Sequence, residues 1–255
     1  MFKKLHQFFS KFKKIRITDF TPNYVSGTIN NLSQKLSIKF TDPALYIEAL
    51  THRSIIEKES NFKASNQRLE FLGDAVLGLI TAEYLFSEYS AKNEGFLTKS
   101  RSKLVDREAL ALAANNMNLG DYVFYDKRFI KLTDSGFDSI LADAMEALIG
   151  AIYIDCGFQI SKKFVINWVI EPGLRSGLLN QEKNYKGKFL ELLHSEKRGN
   201  PRYVVVNEVG QEHKKVFTIQ IELDNEILGS GKGRSKKIAE QKAAREALKN
   251  YKSHS

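Results

Sequence analysis

The sequence predicts an all-α body over residues 28–174 and, after a short linker at 175–183, a small α-β-β-β-α domain over 184–252. Residues 1–27 stand in front as a basic extension. Three observations carry this. From Asp42 to Leu174 the apolar residues recur with helical spacing, and no stretch alternates convincingly. Beyond the polar linker the period shifts, with β-branched runs at Tyr203–Val206 and Val216–Ile221. The charge shifts as well: residues 1–16 carry +6, residues 17–181 carry −3 and residues 182–255 carry +6. A mildly acidic body between two basic segments fits a cation-dependent site served by separate polyanion-binding surfaces.

Taken in order, residues 1–17 mix Phe2, Phe8, Phe9 and Phe12 with lysines and lack the continuous apolar core of a signal peptide. No apolar run approaches the ~20 residues that span a bilayer. Thr41-Asp42-Pro43 is a helix start, with Asp42 as N-cap and Pro43 at the first helical position. The stretch that follows contains His52, which reads as a histidine bonded to neighbouring backbone. A long helix then runs from about Asn66 to Tyr89, where Gly73 and Gly78 allow another backbone close approach. Glu94 to Thr98 leads into a further helix, and Asp106 caps the next, which ends near Asn118-Leu119-Gly120. Residues 121–137 are ambiguous. Ile140 to Gly150 begins another apolar helix that ends at Gly157, and an amphipathic helix carries Phe164, Trp168 and Val169 to Pro172-Gly173. The single cysteine, Cys156, excludes an intrachain disulfide and fits a reducing cytoplasm.

Two of these helices pose an electrostatic problem. Glu70 and Asp74 are four apart, and Asp143 and Glu146 are three apart, so each pair shares one helical face inside an apolar run. Burying like charges together is costly unless a cation or a proton compensates. Either pair alone also fits ordinary helix-surface acids. Together they point to one acidic site for a hard divalent cation, and oxygen-only ligands suit magnesium.

The wording of these stretches goes further. Asn66-Gln67-Arg68-Leu69-Glu70-Phe71-Leu72-Gly73-Asp74 resembles the hallmark of the ribonuclease III family, with Gln67 where most members have a glutamate. Ala49-Leu50-Thr51-His52-Arg53-Ser54 and the stretch Ile140 to Gly150 are similar to the same family. The resemblance implies that Glu70, Asp74, Asp143 and Glu146 are the magnesium ligands (manganese serving as a substitute), with Asp74 and Glu146 catalytic. It implies a homodimer in which Phe71 packs into the partner subunit and Glu94 lies near the interface.

The C-terminal segment resembles the double-stranded RNA-binding domain, most closely over residues 231–244, where Gly231-Lys232-Gly233-Arg234-Ser235-Lys236-Lys237 opens its last helix. Ser235 caps that helix, whose N-terminal amides favour a phosphate, and Lys236 and Lys237 add charge at the same point. By the same resemblance His213 meets a minor groove, and Glu191 occupies a third RNA-contacting region. The function expected is a cytoplasmic, magnesium-dependent endoribonuclease. It would cut double-stranded RNA to 5′-phosphate and 3′-hydroxyl ends, in ribosomal RNA processing and mRNA maturation or decay. Two alternatives stand beside it: a non-catalytic or ribosome-associated RNA-binding protein that retains the fold, and an RNA factor tethered to a membrane by its Phe/Lys N-terminus.

Overall fold

The computed structural model describes residues 22–56, 62–126, 134–180, 184–210, 215–224 and 226–253. The chain divides into two compact units, Met1–Leu179 and Asn180–Ser255.

The first unit is helical. Its elements are α1 (Pro22–Leu36), α2 (Pro43–Ala49), α3 (Arg53–Ile56), α4 (Gln67–Glu88), α5 (Glu94–Leu104), α6 (Arg107–Asn116), α7 (Asp134–Val165) and α8 (Glu171–Arg175). Val25, Ile29, Leu32 and Leu36 recur at one-turn and two-turn spacing on α1, and all are buried. The expected boundary at residue 27/28 therefore falls inside α1, because Val25 already belongs to the core. Asp42 caps α2 by accepting the Ala44 N–H at 3.0 Å. Asn93 caps α5 through the Phe96 N–H, and Asp106 caps α6 through the Ala109 N–H at 2.8 Å.

α7 is broken where the sequence places the break, at Gly157, whose φ of +79° is open mainly to glycine. Helical structure resumes and passes into a π-helical turn at Ile166–Ile170, which the periodicity did not foretell. Pro172 supplies no N–H for the ladder, and the Glu171 N–H reaches back five residues to the Ile166 carbonyl.

α4 and α7 cross at the centre of this unit, and glycine makes the crossing possible. A Cβ on Gly73 would lie 1.7 Å from the Glu146 carbonyl oxygen, and one on Gly150 would lie 2.4 Å from the Leu69 carbonyl oxygen. The two backbones are in direct contact at these points. Gly78 plays no such part, since a Cβ there would meet open space. That corrects half of the expectation for the two glycines.

The second unit runs α9 (Tyr185–Ser195), β1 (Arg202–Val209), β2 (Val216–Leu223), β3 (Glu226–Gly233) and α10 (Lys236–Ser253). Its sheet is antiparallel in the order β1-β2-β3, with irregularities between Val205 and Asn207 and between Ile221 and Glu222. Ile219, Ile221 and Leu223 alternate inward on β2, and Ile221 and Leu223 share one core cluster with Phe189, Leu193, Ala243 and Ala247. Gly229, Gly231 and Gly233 of β3 face α10 so closely that a Cβ on any of them would lie 2.3–2.6 Å from its backbone. β3 is longer than the Glu226-Ile227-Leu228 stretch that the side chains suggest, because this glycine run holds strand geometry through helix packing and not through side-chain propensity.

Candidate metal centre and nucleic-acid interface

The α4–α7 crossing brings carboxylates from both helices together. Glu70, Asp143 and Glu146 each offer an oxygen, and these atoms lie within 4.8 Å of one another. All three side chains are half-buried, held between apolar neighbours such as Leu69, Ala142 and Met145. Asp74 lies outside that tight group and is exposed, one turn along α4. Its charge nonetheless acts on Glu146. Four carboxylates are thus neighbours, and three of them converge.

The electrostatics follow from this crowding. Burial pushes the Glu146 carboxyl up to about 7, and the charges of Asp74, Glu70 and Asp143 push the same way. Glu70 is raised by burial and then by Asp143. Asp143 is raised by burial, against the opposing pull of Arg107, His52 and Arg53. Like charges in a partly dehydrated site resist ionisation. A divalent cation reverses that balance by favouring the anionic form of each ligand.

Asp143 provides an independent sign that the site is built for a cation. Its Oδ1 is buried and has no hydrogen-bond partner, although Arg107 Nη2 stands 3.2 Å away as an ion pair. The distance is that of a contact, but the geometry is not that of a hydrogen bond. A buried carboxylate oxygen is rarely left so. An all-oxygen donor set with a spare lone pair fits a hard divalent ion.

Other expected residues are placed as follows. His52 Nδ1 accepts the Ser54 backbone N–H at 3.2 Å and meets Ser54 Oγ at 2.8 Å, the local bonding the sequence suggests. Its charge is also felt by Asp143. Gln67 is exposed at the first position of α4, and its Oε1 accepts from Ser65 Oγ at 3.2 Å. Glu94 opens α5 and accepts from Thr98 Oγ1 at 2.7 Å, away from the acid cluster. Phe71 is 81% exposed, and Leu79 and Phe86 on the same helix are exposed too. A groove of about 360 Å³ beside Leu79 and Phe86 is lined by these two with Leu85, Leu97 and Arg101, among others.

In the second unit, Ser235 Oγ accepts the Ile238 N–H at 3.3 Å, so the expected cap is present. Lys232, Arg234, Lys236 and Lys237 are all exposed at this turn between β3 and α10. Lys236 Nζ sits 5.8 Å above the Phe217 ring, which holds it near the helix start. Glu191 is exposed on α9. His213 lies outside the described residues.

Arg107 and Arg53 both act on the acid cluster through their charge; Arg53 lies inside a sequence motif without a role assigned to it there, and Arg107 lies outside the motifs. Arg107 did leave a local signal. It occupies the first turn of α6, where the helix dipole disfavours a cation.

Comparison with known proteins agrees with both units. The family model described as "Ribonuclease-III-like" matches residues 42–172, and the "Double-stranded RNA binding motif" matches residues 185–251. A protein named Ribonuclease 3 from Chlorobaculum tepidum is 41% identical over 212 residues, covering 82% of this chain and 78% of the relative. Another from Syntrophomonas wolfei is 42% identical over 213 residues, covering 84% and 91%. The solved nuclease domain of ribonuclease III from Campylobacter jejuni is 40% identical. It aligns over 56% of this chain and 95% of its own, with a TM-score of 0.49.

Proposed function

Because the chain belongs to the ribonuclease III family and is an endoribonuclease acting on double-stranded RNA, we propose that it cuts both strands by metal-assisted hydrolysis. The observation that carries the reading is the convergence of Glu70, Asp143 and Glu146 at the α4–α7 crossing, with one buried carboxylate oxygen that accepts no hydrogen bond. These three residues would hold the ion, with Asp74 beside them. Magnesium bound there supplies Lewis-acid chemistry: it lowers the pKa of water and neutralises charge on the reacting phosphate.

The chain's own residues do the rest. Apolar neighbours of the cluster keep bulk water from the carboxylates and so strengthen their hold on a cation. Glu146, whose carboxyl is pushed up to about 7 and so holds its proton more tightly than an ordinary carboxyl, is the ligand most sensitive to proton competition. Asp74, exposed one turn along α4 from Glu70, would orient water toward a phosphodiester. Attack on phosphorus that expels the 3′ oxygen leaves a 5′-phosphate on one fragment and a 3′-hydroxyl on the other.

Two strands need two sites, and a homodimer supplies them about a two-fold axis. Phe71, Leu79 and Phe86, exposed at heptad-like intervals along α4, together with the groove at their side, support such a self-complementary face. The basic turn at Lys236 and Lys237 would grip phosphates by shape and charge, independent of base sequence. Ribosomal RNA precursors and structured mRNAs are the substrates this chemistry fits, in the cytoplasm. Among the described residues no helix is long and apolar enough to cross a membrane. The purely RNA-binding alternative gives way to the catalytic one, since the enzyme's family is shown.

The test is Glu146→Gln. The variant is expected to bind a long RNA duplex with near-normal affinity and to leave it uncut in magnesium. A variant that cuts at a near-normal rate would place the metal site elsewhere.

A further inference from the structure

Arg107 stands where helix physics does not favour it. It opens α6 within the first turn, at the positive end of the helix dipole. Asp106 already caps that end through the Ala109 N–H, and Glu108 already gives the turn an acidic residue. Arg107 therefore adds nothing to the start of α6. Its guanidinium instead reaches Asp143 on α7.

The contact is of a particular kind. Arg107 Nη2 is 3.2 Å from Asp143 Oδ1, yet that oxygen receives no hydrogen bond. The arginine side chain is 60% exposed, whereas that of Asp143 is 21% exposed. One end of the pair is half-buried on α7, and the other is largely exposed to solvent. Its charge opposes the mutual repulsion of Glu70, Asp143 and Glu146 alike. Arg53 is exposed at the start of α3 and acts on Glu70 and Asp143 through its charge.

We propose that Arg107 is an exchangeable counter-ion: it neutralises Asp143 in the metal-free site, yields that carboxylate to the divalent cation, and then takes a non-bridging phosphate oxygen of the RNA. The inference rests on the metal-site reading above. A guanidinium suits both duties, because it stays charged at every relevant pH and its planar fork matches carboxylate and phosphate oxygens equally. The loose, oblique pairing makes release from Asp143 cheap. Arg107 is the more exposed end of the pair, so leaving Asp143 keeps the guanidinium on the solvent side, where a polyanion can meet it.

Two readouts on the full chain test this, with Arg107→Gln and Arg107→Lys as variants. The first is calorimetric binding of magnesium to the metal-free protein without RNA. Removing a competing cation should tighten binding in Arg107→Gln, roughly two- to fivefold for a pair this exposed. The second is the cleavage rate of a long duplex at saturating magnesium. Loss of a charged phosphate contact should slow Arg107→Gln by about tenfold or more. Arg107→Lys should bring magnesium affinity back toward the natural value and restore part of the rate.

Weaker magnesium binding in Arg107→Gln would mean that the arginine merely positions Asp143, and would overturn the exchange. An unchanged affinity would overturn it as well, as would tighter binding with an undiminished rate. Failure of the underlying reading looks different: the natural protein itself would neither bind magnesium nor cut.

Discussion

Two places in this molecule bring backbones closer than a methyl group permits, and they serve opposite ends. At the α4–α7 crossing, Gly73 and Gly150 let two helices touch at Glu146 and Leu69. In the second unit, Gly229, Gly231 and Gly233 let a strand lie against α10 along a run of alanines. The means are the same, but the residues beside the contact differ. Gly73 sits between Glu70 and Asp74 and presses on the residue that carries the Glu146 side chain, so there the close approach itself sets distances among carboxylates. The β3 glycines meet the α10 backbone at Ala239, Lys242, Ala243 and Ala247 and the Ile238 side chain, and the exposed lysines of the turn stand outside that contact. A close approach that carries charge should be intolerant in function as well as in stability. One that carries none should be intolerant in stability alone.

Gly73→Ala should have the largest effect. The added methyl meets a main-chain carbonyl that cannot rotate aside, so the helices must part, at a cost of about 1–3 kcal/mol or more. Displacing Glu70 from Glu146 by even a fraction of an ångström should reduce cleavage by about 100-fold or more. A thermal melt and a duplex-cleavage assay together check this. A stable, active variant would show that the crossing has slack.

Gly231→Ala should come next, and it should separate the two regions. Its methyl would lie 2.3 Å from the Ala239 carbonyl oxygen, so the second unit should lose its melting transition while the first keeps its own. Cleavage should persist at low salt and fail at physiological salt, because the phosphate contacts of the second unit are salt-sensitive. Loss of low-salt cleavage equal to that of Gly73→Ala would break the comparison.

The carboxylates permit a pH test that the alanine stripe does not. Glu146 is raised above its unfolded value, to about 7 in the metal-free protein. Its neutral form is the one the fold prefers, so its stabilising contribution is present below the unfolded value of 4.5 and is lost as pH rises through about 7. Metal-free protein should accordingly melt lower at pH 8 than at pH 5 in the first unit's transition, insofar as this group governs it. Magnesium should reverse the trend, binding more tightly as pH rises through about 7 and releasing up to one proton per site. Titration calorimetry in buffers of different ionisation enthalpy measures that proton directly.

Gln67→Glu should have the smallest effect. Gln67 is exposed at the start of α4, bonded to Ser65 and outside the tight carboxylate group. An added charge there should lower the magnesium needed for cleavage by roughly tenfold at most, as expected of a residue that supports ligands without being one. Restoration of activity from nothing would instead make Gln67 a lesion in the catalytic machinery.

How much of this was legible in the sequence depends on the range of the interaction concerned. Helix starts were readable because caps act within three residues: Asp42 and Asp106 do what their spacing says. The carboxylate pairs were readable because helical periodicity fixes which face each shares. The broken α7 was readable from Gly157, since positive φ is a local demand. By contrast, the π-turn at Ile166–Ile170 and the full length of β3 were not. The length of β3 depends on how its glycines pack on α10, and Pro172 marks an interruption of the helical ladder without saying which hydrogen-bond period precedes it.

The sequence by itself determined where acidic and basic side chains gather: two acidic helices, a basic turn, and a chain division where periodicity changes. These are matters of residue type and spacing along one element. Only the tertiary structure decided which of the four acids converge, because Asp74 and Glu146 share no element and their separation is set by the depth at which α4 and α7 interlock. It alone brought Arg107 to Asp143, thirty-six positions away, since the direction of a long exposed side chain is fixed by the charge it finds and not by its neighbours in sequence.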